Sequence, residues 1–90
     1  MNIEKLYTEL ISLFLSGDMT REDVASKIAD EIDVDIVYTK NVDLMKNCEI
    51  SLRHIAEPNY WTTTEELKYY LDCLKGEITF SVKDRDSILK

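Results

Sequence analysis

Ile3-Glu-Lys-Leu-Tyr-Thr-Glu-Leu-Ile-Ser-Leu-Phe-Leu-Ser-Gly17 is the stretch that decides how the chain folds. Ile3, Leu6, Tyr7, Leu10, Leu13 and Phe14 recur at the i, i+3, i+4, i+7 spacing of an amphipathic helix. Ile11 and Leu15 widen the stripe, so this helix is expected to be covered on two sides. Asn2 stands where a side-chain oxygen caps the first turn, and Gly17 where a helix ends with positive φ. A helix with so wide an apolar face needs other elements to lie against it.

The next start signal is Thr20-Arg-Glu-Asp23, a capping box, with Met19 and Val24 at the positions of a hydrophobic staple. Val24, Ala25, Ile28, Ala29 and Ile32 then form one narrow face, whose small alanines suggest close approach to another helix. Residues 33–40 are ambiguous. Val34, Ile36 and Tyr38 alternate as in a strand, whereas Val34, Val37 and Asn41 suit a helix. With no partner strand in view, the stretch reads as a connection or a helical turn. From Asn41, the residues Leu44, Met45, Cys48, Leu52 and Ile55 keep helical spacing to about Ala56, and Pro58 ends the run. After Asn59-Tyr60-Trp61 come two overlapping capping boxes, Thr62/Glu65 and Thr63/Glu66. Leu67, Tyr70, Leu71 and Leu74 give the fourth helix its core face, with Cys73 at the margin, Tyr69 about a third of a turn away and Gly76 as terminator. In the tail Ile78, Phe80 and Val82 alternate, yet Ser81/Asp84 caps a short closing helix carrying Val82, Arg85, Ile88 and Leu89. The expected fold is all-α: residues 1–90 as a single domain, a compact antiparallel bundle of about four helices with a short C-terminal extension.

Composition agrees with that class. The chain has 90 residues and 44% apolar content, enough for one core but not two. Two Gly and one Pro leave few breakpoints for a many-turned β fold. Apolar runs such as Leu13-Phe14-Leu15 fall far short of the ~20 residues of a membrane span. Glu4, Lys5 and Glu9 interrupt the first residues, which therefore do not read as a signal peptide. Cys48 and Cys73, far apart and without metal-ligand spacing, read as buried reduced thiols in a cytoplasmic protein, with one disulfide between helices left open.

Chemistry is hard to find. The one imidazole, His54, lies six residues from Cys48, on a different helical face, which is poor geometry for a nucleophilic pair. Asp30, Asp33 and Asp35 resemble part of a calcium loop but lack its glycine and distal glutamate. No catalytic residue, cofactor or metal is expected. Thr20 to Ala29 has the apolar spacing of a helix-turn-helix, making a DNA-binding regulator the third reading. The following turn carries acids where phosphate contact needs bases, and 18 Asp+Glu against 11 Lys+Arg (net −7) disfavour nucleic acid throughout. The excess is concentrated: residues 18–35 hold seven acids and two bases, a local balance of −5. Glu22, Asp23, Glu65 and Glu66 suit first helical turns. Asp30, Glu31, Asp33 and Asp35 fall instead near the expected C-terminal end of the second helix, where negative charge is unfavourable. Those four, with Tyr38 and Trp61 as aromatic anchors, are the candidate partner-binding residues, suited to a basic protein.

The opening helix to Gly17, the Asp18-Met-Thr-Arg-Glu-Asp23 start and the late Glu57-Pro-Asn-Tyr-Trp-Thr-Thr-Thr-Glu-Glu-Leu67 segment together carry a resemblance. Over residues 1–76 the chain resembles the small α-helical immunity proteins of bacterial toxin systems, including the colicin D-type, in lengths, breaks and charge. The resemblance implies a protein that binds and occludes a cognate basic toxin, often a nuclease, and it carries over no catalytic residue. The alternative is a helical regulatory or adaptor module that acts by homodimerisation or through a host protein; monomer and homodimer both stay open.

Overall fold

The computed structural model describes residues 2–89, and of Leu89 the backbone alone. Six helices follow one another: α1 Ile3–Leu15, α2 Arg21–Glu31, α3 Val34–Lys40, α4 Asp43–Arg53, α5 Thr64–Leu74 and α6 Val82–Leu89. No strand occurs among the described residues. The fold is all-helical, and the four longest helices (α1, α2, α4 and α5) are the expected ones. α6 is the short closing helix expected in the tail, and α3, expected as a connection or a helical turn, brings the described helices to six. A radius of gyration of 12.1 Å is that of a compact globule, since about 12 Å is typical for this length.

Capping chemistry sets the boundaries. Asn2 Oδ1 accepts from the Lys5 N–H at 3.0 Å, and Gly17 takes φ +87° after α1. At α2 the box closes in both directions: Thr20 Oγ1 accepts from the Asp23 N–H (3.1 Å), and Asp23 Oδ2 accepts from the Thr20 N–H (3.2 Å). At α5 only half a box forms. Thr63 Oγ1 accepts from the Glu66 N–H at 3.1 Å, while Thr62 is fully buried and donates to the Ser51 carbonyl at 2.8 Å. Residues 34–40 are helical because Asp33 caps them, accepting from the Asp35 N–H at 2.9 Å, and Asn41 closes them in the left-handed region at φ 55°. Asn is among the few residues that adopt that conformation readily. Only Val37 of α3 is buried, so the alternation of Val34, Ile36 and Tyr38 has no two-sided burial behind it.

One apolar cluster joins the helices. Tyr7, Leu10 and Ile11 of α1, Val24 and Ile28 of α2, Val37 of α3, Met45, Cys48 and Leu52 of α4, and Leu67, Tyr70 and Leu71 of α5 all enter it. Of the alanines of α2, Ala25 packs half-buried against the cluster, whereas Ala29 is exposed. Tyr69, expected to point away from the core, is buried because residues 80–81 lie over it: its hydroxyl accepts from the Ser81 N–H at 2.8 Å. Cys48 and Cys73 are both free and buried.

Two glutamates sit inside this cluster. Glu49, 1% exposed, accepts from the Tyr7 hydroxyl of α1 at 2.8 Å and pairs with Arg53 one turn on. Arg53 also donates to the Ile32 carbonyl at 3.2 Å, at the end of α2. Glu66, 3% exposed, accepts from Ser51 of α4 (2.5 Å) and from Tyr70 (2.7 Å). The buried network therefore links α1, α2, α4 and α5, and a buried carboxylate is tolerable only with such partners.

Burial, then the hydrogen bonds to Glu49 and Glu66, raise the Tyr7 and Tyr70 phenols far above their ordinary pKa of 10.0. An unfolded chain thus releases these protons first. The stability they contribute is complete below about pH 10 and is lost as pH rises through the folded values, by up to ~1.4 kcal/mol per pH unit per phenol. In urea titrations the midpoint is expected to fall above about pH 10, and Tyr7→Phe to flatten that fall. Ionisation of all the tyrosines near pH 10 in the folded protein, followed at 295 nm, would contradict the burial of these two.

Candidate functional site

The acidic segment runs around the corner between α2 and α3. Asp30, Glu31, Asp33 and Asp35 are all exposed there. Their roles differ. Asp33 is the N-cap of α3 and Asp35 lies in its first turn, where the helix dipole favours an acid. The expectation that all four crowd an unfavourable helix C-terminus is corrected, because α2 ends at Glu31 and a new helix begins at Val34. Only Asp30 and Glu31 occupy the last turn of α2, and Glu31 pairs with Lys27 at 3.2 Å. Arg53 approaches that same end from inside, through the Ile32 carbonyl, so the corner is fixed to α4.

Two shallow depressions border the corner. One, about 340 Å³, lies on the outer face of α2 beside Met19, Asp23, Lys27, Asp30 and Glu31. The other, about 350 Å³, has Ile3, Ile32 and Ile36 on its apolar side and Glu31, Asp33 and Lys40 on its polar side. Glu31 borders both. Ile36 and Tyr38 are exposed at 48% and 44%, which gives the corner apolar surface beside its acids, while Val42, exposed at 46%, lies past the other end of α3.

Trp61 lies elsewhere. Its ring covers the Arg21 guanidinium at 3.6 Å, with the Phe14 ring on the same group at 5.1 Å. Arg21 opens α2 and Glu31 closes it, so ~15 Å of helix separates Trp61 from the acids. The structure thus brings Tyr38 near the quartet in the chain but places Trp61 at the opposite end of α2. Arg21 also donates to the carbonyls of Ile55 (3.0 Å) and Thr62 (2.8 Å), which holds the segment around Pro58 and Trp61 against α2. Trp61 remains 61% exposed: one face is fixed by the cation and the rest is open to water.

The groups with chemical potential are inward. Glu49 and Glu66 were readable in outline, since Met45, Cys48, Glu49 and Leu52 place an acid on an apolar stripe, as Glu66, Leu67 and Tyr70 do. Arg53 follows Glu49 at i+4. Neither glutamate borders a depression described above. His54 Nδ1 lies 3.0 Å from Glu57 Oε1, without the alignment of a hydrogen bond, and its ring tilts on Tyr60 at 5.5 Å. Among the described residues no three His, Cys, Asp or Glu side chains converge as a metal would require, the aspartates of residues 30–35 included. No described helix is long and apolar enough to cross a membrane. Comparison with protein-family models, curated proteins and solved structures finds no match.

Replacing Arg21 by Ala removes two hydrogen bonds and the cation beneath Trp61. A loss of about 1–3 kcal/mol in urea unfolding is expected, with a drop in Trp61 fluorescence anisotropy. Lys at this position is expected to rescue little, because it lacks the planar fork. Unchanged anisotropy and stability in Arg21→Ala would contradict the assigned role.

Proposed function

We propose that the chain is a stoichiometric protein inhibitor of the toxin-immunity kind, which binds a basic bacterial toxin, of nuclease type, and occludes it in the cytoplasm. The observation that carries this reading is the corner between α2 and α3, where four exposed acids adjoin exposed Ile36 and Tyr38 on a backbone fixed from within. Acids beside apolar and aromatic anchors are the composition that recognises a basic protein: the charges steer encounter, and the anchors bury area. The concentration of charge in residues 18–35 and the inward placement of the remaining polar chemistry support the same reading. Within it, Asp30, Glu31 and Asp35 act electrostatically, Asp33 does so while capping α3, and Tyr38 is the nearer anchor. Trp61 would extend the interface along α2.

A helical adaptor that homodimerises is the second reading, favoured by exposed Ile36 and Val42 on adjoining turns. It predicts a concentration-dependent mass in sedimentation and no dependence on the acids.

Calorimetric titration against the toxin encoded beside the gene tests the inhibitor reading. Changing Asp30, Asp33 and Asp35 to Asn and Glu31 to Gln keeps the cap, since Asn caps as well as Asp. At least tenfold weaker binding, chiefly through slower and less salt-sensitive association, is expected. Absence of binding to any neighbouring gene product, with the variant still protecting cells, would overturn the proposal.

A further inference from the structure

The last helix differs from the other five in how it is held. None of the described side chains from Glu77 to Ile88 is buried, and residues 75–79 are exposed throughout, with Gly76 at φ +79°. α6 packs chiefly on α5, and its attachments are few. The Tyr69 hydroxyl takes the Ser81 N–H at 2.8 Å and donates to the Ser81 carbonyl at 3.2 Å, so one phenol secures both backbone groups at the entry to α6. The Phe80 ring leans on Tyr69 and Tyr70, with centroids 6.0 and 6.4 Å apart. Arg85 donates to Asn47 of α4, and Ile88 rests on the edge of the core.

Tyr69, which the Ser81 backbone and the Phe80 ring touch, is better buried than they are. Tyr69 is 7% and Cys73 8% exposed, one turn apart on α5. Burial raises the Cys73 thiol above its ordinary pKa, the neighbouring Tyr69 hydroxyl opposes the shift, and the carboxylates of Asp72 and of Asp84 on α6 add to it. Cys48, by contrast, is fully buried among α4 and its neighbours. A segment whose described side chains are at most half-buried, Phe80 and Ile88 among them, has less to lose on leaving than the helices of the core, and such segments open locally at a fraction of the global stability.

We propose that residues 77–89 form a strap, latched by Tyr69 and Arg85, that opens as a unit while α1 to α5 stay folded and uncovers Tyr69 and Cys73 on α5. The two cysteines then report different events: Cys73 the opening of the strap, Cys48 the unfolding of the body.

Alkylation of the full chain by iodoacetamide, resolved by peptide mass spectrometry across a urea series below the unfolding transition, distinguishes them. Cys73 is expected to react at a rate nearly independent of urea, whereas Cys48 reacts only on entering the transition. Tyr69→Phe and Arg85→Ala each remove part of the latch and are expected to speed Cys73 labelling about fivefold to tenfold, leaving Cys48 protected. Arg85 pairs with Asn47, so its effect cannot come from direct contact with the thiol. If Cys73 and Cys48 react together with the same urea dependence, or if neither variant accelerates Cys73, the strap does not open independently and the proposal falls. Should Tyr69→Phe fail to fold, the urea dependence of the unmodified chain and Arg85→Ala still decide.

Discussion

The fold depends on a carboxylate that has been taken out of water. Glu49 sits on the apolar face of α4, 1% exposed, where an unpaired acid would cost several kcal/mol. Its partners come from two directions: Tyr7 from α1, and Arg53 from the next turn of its own helix. Arg53 passes the constraint on by holding the Ile32 carbonyl where α2 ends. Apolar contacts alone let helices slide or rotate at modest cost, but this set is satisfied in only one mutual arrangement of α1, α2 and α4. Glu66 repeats the device between α4 and α5, through Ser51 and Tyr70.

That internal constraint bears on the outer surface. The corner between α2 and α3 carries the acids, and its backbone is held by Arg53 from beneath. A partner would meet a surface already in its bound shape, which lowers the ordering cost of association. The charge of residues 18–35 also has a finer structure than a count conveys. Asp23 and Asp33 serve caps, Asp35 a first turn and Glu31 an ion pair with Lys27, and all remain exposed. Asp30, in the last turn of α2, has no such structural duty among the described residues.

Much of this was legible in the residues. The periodicity of Ile3 to Phe14, the reciprocal box at Thr20 and Asp23, the spacing from Leu44 to Leu52 and the Thr63 cap place α1, α2, α4 and α5 because each is a local signal with a local cause, although α4 ends at Arg53, short of the Ala56 that Pro58 suggested. α3 was legible only as a connection or a helical turn, since seven residues with one buried side chain carry little periodicity to separate helix from strand, and its start depends on a single Asp33 hydrogen bond. Tyr69 misled for a related reason: its burial is supplied by residues 80–81, which no spacing within α5 reveals. Thr62 looked like a second cap and instead faces Ser51 across the core. Of the candidate site, the exposure of the quartet and of Tyr38 followed from polarity and position. The separation of Trp61 from them followed only once Arg21 was seen beneath its ring.

The Glu49 pairing, beyond the packing of the helices, fixes their arrangement. A double-mutant cycle on Tyr7→Phe and Glu49→Met, measured by urea unfolding, probes that coupling. Tyr7→Phe is expected to cost about 1–3 kcal/mol in the unmodified chain, and to be neutral or stabilising beside Glu49→Met, where the phenol has lost its acceptor. An equal cost in both backgrounds, within ~0.5 kcal/mol, would show that the two residues act independently and would contradict the account.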